Sequence, residues 1–180
     1  MANVIKLRKG LDIHLTGKAK SVQVTPLKSK QYAVVPDSFG GVIPKVLVRE
    51  GDRVKAGDAL FVNKKYPEEK FASPVSGEIT AVVRGDRRKV LAITIQADET
   101  QDYVDFGRRD VETLTGDEVK NALLEAGLFG FIQQLPYAVA TTPDTLPRDI
   151  FVSAFRDMPL AADFEVELQG NEAAFQAGLT

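Results

Sequence analysis

Between two similar stretches of this chain, 40–62 and 72–95, lies Asn63-Lys64-Lys65-Tyr66-Pro67-Glu68-Glu69-Lys70. A hairpin there would present Lys64 and Lys65 as exposed amines, the kind of group from which a cofactor can hang. The neighbouring residues argue otherwise. Pro67, Glu68 and Glu69 interrupt the turn, and an exposed lysine pair is ordinarily solvated. Lys64 and Lys65 are therefore expected to stay unmodified. His14 is the only histidine, so histidine-pair metal sites cannot be built within the chain, and a Ser-His-Asp arrangement would have to use that residue. It lies in the alternating run Leu11-Asp12-Ile13-His14-Leu15, which reads as a strand, so a surface or packing role is expected. The absence of cysteine removes disulfides, thiolate nucleophiles, zinc–cysteine sites and cysteine-ligated iron–sulfur clusters. No G-x-G-x-x-G occurs, and Gly17-Lys18-Ala19 lacks the upstream glycine and the hydroxyl residue of a P-loop. The carboxylates are scattered through polar turns, with none paired by spacing. No catalytic residue and no metal site is expected in this chain.

The elements that would carry the lysine hairpin come from an internal repeat. Gly41-Val-Ile-Pro aligns with Gly77-Glu-Ile-Thr at an offset of 36, and Gly51-Asp52-Arg53 with Gly85-Asp86-Arg87 at 34. A near-constant period of this size marks one supersecondary unit used twice. Val42, Val46 and Val48 in one copy, and Ile79, Ala81 and Val83 in the other, supply β-branched or small strand residues. Glu50-Gly51-Asp52 and Arg84-Gly85-Asp86 are turn chemistry, because glycine accepts positive φ and aspartate bonds nearby backbone. Another turn at Ala56-Gly57-Asp58 precedes a strand over 59–62. Each copy is too small to bury its own apolar face, so the two are expected to pack as a small β sandwich.

The second half reads differently. Thr115-Gly-Asp-Glu118 is a capping box, and Val119, Ala122, Leu123 and Ala126 fall on one helical face. Gly127 is placed to end that helix in a left-handed conformation. The run 150–155, Ile-Phe-Val-Ser-Ala-Phe, looks like a strand buried on both faces, and 171–179 looks like a further helix. This order suits a three-layer α/β domain. Residues 96–109, polar and acidic with Gly107, are expected to link it to the first half.

Composition sets outer bounds on function. With 180 residues, 44% hydrophobic and 27% charged, the chain is that of an ordinary globular protein of one or two domains. A formal charge of -2 argues against a dedicated nucleic-acid binder. The first ten residues lack the apolar core of a signal peptide, and no stretch approaches the roughly 18 apolar residues of a membrane span.

Two resemblances sharpen these expectations. VREGDRVKAGDALF followed by ASPVSGEI resembles the biotinyl/lipoyl-carrier domain, a flattened barrel of two related halves. The E-x-M-K-M or D-K-A context of a carrier lysine is missing, which implies an unmodified structural copy of that fold. IKLRKGLDIHLTGKA, PVSGEITAVVRGDRRKVL and IFVSAFRDMPLAAD, in that order, resemble the A-subunit family of the bacterial Na+-translocating NADH:quinone oxidoreductases. That resemblance implies an α+β chain. A lipoyl-like barrel-sandwich region at 1–96 would precede part of a three-layer α/β domain at 97–180, related to the flavin subunit of complex I. Family members continue past this point, so a C-terminally truncated domain is expected. The resemblance further implies a peripheral subunit on the cytoplasmic face of the bacterial inner membrane. NADH, quinone, flavins and an iron–sulfur centre belong to the whole complex, and no cofactor is expected on this chain. The other polypeptides of the complex would be its partners.

One departure bears on mechanism. Where flavin-binding relatives carry a glycine-rich loop, this sequence reads Gly127-Leu-Phe-Gly130-Phe131-Ile-Gln-Gln134. Bulky side chains there would obstruct the close backbone approach that a phosphate or ring needs, so the flavin site is expected to be lost. Phe129 and Phe131, with Gln133 and Gln134 able to donate hydrogen bonds, would suit a quinone ring or a contact with a neighbouring polypeptide. Phe39, beside Gly40 and Gly41, is a second such place. The competing readings are a lipoyl-like interaction module without enzymatic role, a biotin or lipoyl carrier, and the C-subunit of an Rnf-type electron-transport complex.

Overall fold

The computed structural model describes residues Lys6, Gly10, Thr16, 29–155, Met158 and 161–179. His14 and its expected strand lie outside them. The chain divides into two compact units, Leu27–Arg148 and the pair of segments Met1–Pro26 with Asp149–Thr180.

The larger unit is built on β strands. They are β1 (Gln31–Val34), β2 (Pro44–Val46), β3 (Arg53–Val54), β4 (Ala59–Asn63), β5 (Lys70–Ala72), β6 (Gly77–Arg84) and β7 (Val90–Ala97). Two antiparallel sheets result, one in the order β1-β7-β6-β3 and the other β2-β4-β5. Alternation sends one face of most strands inward, while β4 is buried on both faces from Leu60 to Asn63. Leu60, Phe61 and Phe71 from the small sheet meet Ile79, Val90, Ile93 and Ile95 from the large one, and Val42, Val46 and Val48 pack against this core from its edge. The sandwich of two related halves is thus present.

The repeated turn chemistry lies closer together than the period suggested. At 49–52 and again at 55–58, the third residue is a glycine at positive φ, +87° for Gly51 and +103° for Gly57. In each turn the following aspartate takes the first residue's N–H at 2.7 Å, Asp52 from Arg49 and Asp58 from Lys55. Gly85 departs from the expectation. Its φ is -99°, and the left-handed positions in that turn are Arg87 and Arg88. What Gly85 provides is room, since a Cβ there would sit 3.0 Å from the Leu91 side chain.

Residues 96–109 do more than link. The Ala56 N–H donates to the Asp102 carbonyl and the Val104 N–H returns to the Ala56 carbonyl, both at 2.9 Å, a short parallel bridge centred on Tyr103. Asp98 takes Arg53, and Gln101 accepts from the Ser76 N–H. The polar side chains that suggested a linker are the ones that strap this segment to the barrel.

Helix α1 (Gly116–Glu125) follows, capped as expected. The Thr115 hydroxyl accepts from the Glu118 N–H while the Glu118 carboxylate accepts from the Thr115 N–H. The bonds from Thr115 hold the Glu118 carboxyl below its usual range. At the far end Leu128 N–H reaches the Leu123 carbonyl and Gly127 N–H the Leu124 carbonyl, a Schellman arrangement around Gly127 at φ +70°. The buried face is turned from the expected one: Leu124 is its one buried residue, and Val119 is 38% exposed. After a short 3-10 turn at Phe129–Phe131, β8 (Gln133–Gln134) and β9 (Val139–Ala140) form a small hairpin.

In the other unit, α2 (Phe164–Leu168) and α3 (Glu172–Gly178) are joined by an edge-on contact of Phe164 with Phe175 at 5.4 Å. The helix expected over 171–179 is there. The strand expected over 150–155 is not: these residues carry no regular structure, and Ile150, Phe151, Val152 and Phe155 are 64–80% exposed. A strand buried on both faces needs hydrogen-bonded neighbours, and among the described residues none pairs with it. No helix among the described residues is long and apolar enough to cross a membrane.

Candidate functional site

The lysine hairpin and the Phe129–Phe131 turn meet over a cluster of aromatic rings. β4 and β5 pair Phe61 with Phe71, and their rings stack at 4.6 Å, 7° from parallel. Phe39 caps the stack, 4.5 Å from Phe71, and Phe131 meets Phe39 edge-on at 5.1 Å. Phe61 and Phe71 are buried, Phe39 is half-buried, and Phe131 is 65% exposed. The cluster therefore runs from the barrel core to the surface. Of the residues singled out from sequence, Phe39 and Phe131 are brought together. Phe129 is buried. Gln133 lies exposed on β8 opposite Ala140, and the Gln134 amide is engaged by Thr145 at 2.8 Å.

At the base of the hairpin is a polar pair that sequence reasoning missed. Asn63 and Glu69 are both buried. The Asn63 N–H donates to the Glu69 carbonyl at 3.0 Å, and Asn63 Nδ2 donates to Glu69 Oε2 at 2.8 Å. Glu69 Oε1 has no hydrogen-bond partner. Burial pushes the carboxyl above its ordinary range, the Asn63 bond opposes this, and the nearby Glu68 charge adds to it. The Phe129–Phe131 turn closes over this carboxyl with Gly130. A Cβ on Gly130 would fall 2.5 Å from the Phe71 ring and 3.2 Å from Glu69 Oε1. Period-2 alternation could have flagged Glu69, since it shares a strand face with Phe71 two residues on.

Lys64 and Lys65 stand exposed at the tip of the hairpin. The tip is held by backbone, the Lys64 N–H donating to the Ile43 carbonyl and the Lys65 N–H to Asn63 Oδ1. Beside it, a cleft of about 480 Å³ is lined by Tyr66, Lys70, Lys120, Leu124 and Asp144, among others. Tyr66 donates to Asp144 at 2.9 Å, and Thr142 also bonds that carboxylate. The two bonds, Thr142 first, hold Asp144 below the usual carboxylate range, while the Asp144 contact raises the Tyr66 phenol. Among the described residues no cluster of His, Cys, Asp or Glu is placed to hold a metal ion. The arrangement offers a half-exposed aromatic wall above a buried carboxyl.

Comparison with known proteins identifies the family. Residues 5–98 match the family described as the NqrA N-terminal barrel-sandwich hybrid domain, and residues 114–180 match the NqrA second alpha/beta domain. Among curated proteins, the chain is similar to the A-subunit of the Na(+)-translocating NADH-quinone reductase from Yersinia pseudotuberculosis serotype O:1b, 36% identical over 180 residues and 98% of this chain. The protein of the same name from Serratia proteamaculans is 36% identical over 181 residues. That from Pseudomonas aeruginosa strain UCBPP-PA14 is 32% identical over 179. The chain spans 40% of the length of each of these relatives.

Proposed function

Because this chain belongs to the NqrA family, we propose that it is the N-terminal part of the NqrA component of a Na+-translocating NADH:quinone reductase, in which electron transfer from NADH to quinone is coupled to Na+ export. Its work in that complex is assembly. The observation that carries this is the exposed end of the aromatic cluster: Phe131 stands 65% exposed against Phe39, and Leu128, Leu135 and Tyr137 of the adjoining turns are 50%, 75% and 83% exposed. Exposed apolar side chains gathered in one loop system suit a contact with a neighbouring polypeptide. The same wall, with Gln133 beside it, suits a quinone-proximal surface, apolar with one hydrogen-bonding amide. Phe129, buried beneath, supports the turn.

On this reading the chain carries no redox cofactor. Flavins, the iron–sulfur centre and the NADH site belong to the other subunits, and this one sits peripherally on the cytoplasmic face of the inner membrane. The isolated fragment is expected to be inactive. The exposed Lys64 and Lys65, without carrier-type flanking residues, keep the barrel in a structural role.

The test is an affinity pull-down of the full-length protein from its native membranes, with mass identification of co-purifying chains and NADH:quinone activity measured with and without sodium. Co-purification of flavin-bearing membrane subunits, with sodium-stimulated turnover, supports the assignment. Recovery of the protein alone from the cytosol overturns it. A photoreactive quinone that labels the complex but leaves residues 128–137 unlabelled would remove the quinone-proximal part and keep the assembly part.

A further inference from the structure

We propose that the turn joining β6 and β7 is a docking point for an anionic phospholipid surface. The chain is net negative, yet Arg84, Arg87, Arg88 and Lys89 fall within six residues whose sole carboxylate is Asp86. Lys89 is paired with Asp37. The three arginines are exposed and have no carboxylate partner among the salt bridges of the described residues. Arg84 instead bonds the Arg88 carbonyl at 3.2 Å, which ties the tip to itself.

Three features favour a bilayer over a protein groove. First, the basic residues occupy the end of the longest hairpin of the barrel, where Val83–Lys89 bury no side chain. A convex tip reaches a flat surface more easily than a concave one. Second, Val83 and Leu91 flank the turn at 40% and 42% exposure, with Leu91 folded against Gly85. Basic residues beside apolar ones match the boundary between headgroups and acyl chains. Third, Arg87 and Arg88 hold φ of +53° and +61°. Glycine or asparagine would adopt that backbone at less cost, so the turn carries two positive charges where backbone geometry alone would favour neutral residues. The inference is independent of the assignment to a respiratory complex, because it rests on residues 83–91 alone.

The experiment is co-sedimentation of this chain with vesicles of equal parts phosphatidylcholine and phosphatidylglycerol, and with phosphatidylcholine alone. Binding is expected to the anionic vesicles only, and to weaken with added salt. The triple variant Arg84→Gln, Arg87→Asn, Arg88→Asn is expected to bind roughly a hundredfold more weakly, about fivefold per charge removed. Asparagine tolerates the left-handed backbone, so the thermal midpoint of the variant should not fall, and loss of binding cannot then be ascribed to unfolding. Failure of the wild-type chain to sediment with anionic vesicles, equal binding to neutral ones, or undiminished binding by the triple variant each overturns the proposal. If vesicle binding is absent but the variant no longer co-purifies with membrane proteins, the tip is a protein contact and the lipid proposal falls.

Discussion

Asn63 Nδ2 donates to Glu69 Oε2 at 2.8 Å across the base of the lysine hairpin, and the other oxygen of the same carboxylate, buried against Phe71 and Gly130, has no partner. A carboxyl in that position is stabilised in its neutral form, because ionisation would leave a charge half-satisfied in an apolar surround.

The folded state therefore holds the Glu69 proton more tightly than the unfolded chain does. The stability this contributes is fully present below the unfolded value, near 4.5. It is lost as pH rises from there through the raised folded value. Glu69→Gln imitates the neutral acid. It should flatten that part of the stability-versus-pH curve and at neutral pH stabilise the chain by about 1 kcal/mol, because no charge is then buried even though the amide nitrogen inherits the unpartnered position. Chemical denaturation of both proteins from acid to neutral pH checks this, and parallel curves would rule it out.

Gly130 is fixed by contact. Gly130→Ala drives a methyl into the Phe71 ring, which is itself stacked on Phe61 and has nowhere to go. A loss of about 1–3 kcal/mol is expected, as for other overpacked cores. Gly127→Ala combines a 2.8 Å approach to Ala72 with an unfavourable positive φ, so its cost should be at least as large. Urea midpoints decide both.

The twin turns at 49–52 and 55–58 make the same hydrogen bond at the same 2.7 Å. Asp52→Ala and Asp58→Ala should therefore cost similar amounts, about 1 kcal/mol each. Because the turns share no bond, the double variant should lose the sum. A thermal-denaturation cycle over the four proteins measures it, and a strongly non-additive double variant would mean the turns act as one unit.

Lys64 and Lys65 are expected to matter little to folding. Their side chains are exposed and the tip is held through backbone groups, so Lys64→Ala with Lys65→Ala should change stability by less than about 0.5 kcal/mol. In the protein isolated from its own host, the peptide that carries Lys64 and Lys65 should have its unmodified mass, and an added cofactor mass would restore the carrier reading.

Local chemistry was legible in the sequence wherever it was self-contained. The capping box at Thr115 needs only four residues, the Gly127 C-cap only the end of one helix, and the strands over 59–62 and around Ile79 only a short β-rich run beside turn residues. What was hidden depended on distant partners. Val119 and Leu124 compete for the buried face of α1, and the winner is decided by what α1 packs on. The run 150–155 has the composition of a buried strand but no pairing neighbour among the described residues. Asp98, Gln101 and Asp102 read as solvated linker because their partners, Arg53, Ser76 and Lys55, lie 25 to 47 positions away. Of the site, Phe39 and Phe131 were visible as aromatics beside glycine. Glu69 was read as one more turn carboxylate; its alternation with Phe71 hints at an inward side chain, but the cover comes from Gly130, about sixty residues away.

The cover that Gly130 provides also arrives late. On the ribosome, β4 and β5 can pair within microseconds of emerging, but the turn that covers Phe71 and Glu69 follows about sixty residues later. At about 5–20 residues per second, that leaves the aromatic face bare for roughly 3 to 12 seconds. During that interval Glu69 is hydrated and ionised, a negative charge beside a ring that would otherwise invite neighbouring chains. The same carboxylate that burdens the finished fold thus acts as a solubilising guard on the unfinished one. Ribosome-stalled chains ending before Gly130 should be cut by protease near Phe71, whereas chains that expose Thr141 should resist. Early resistance would mean that the face is covered by something other than the turn.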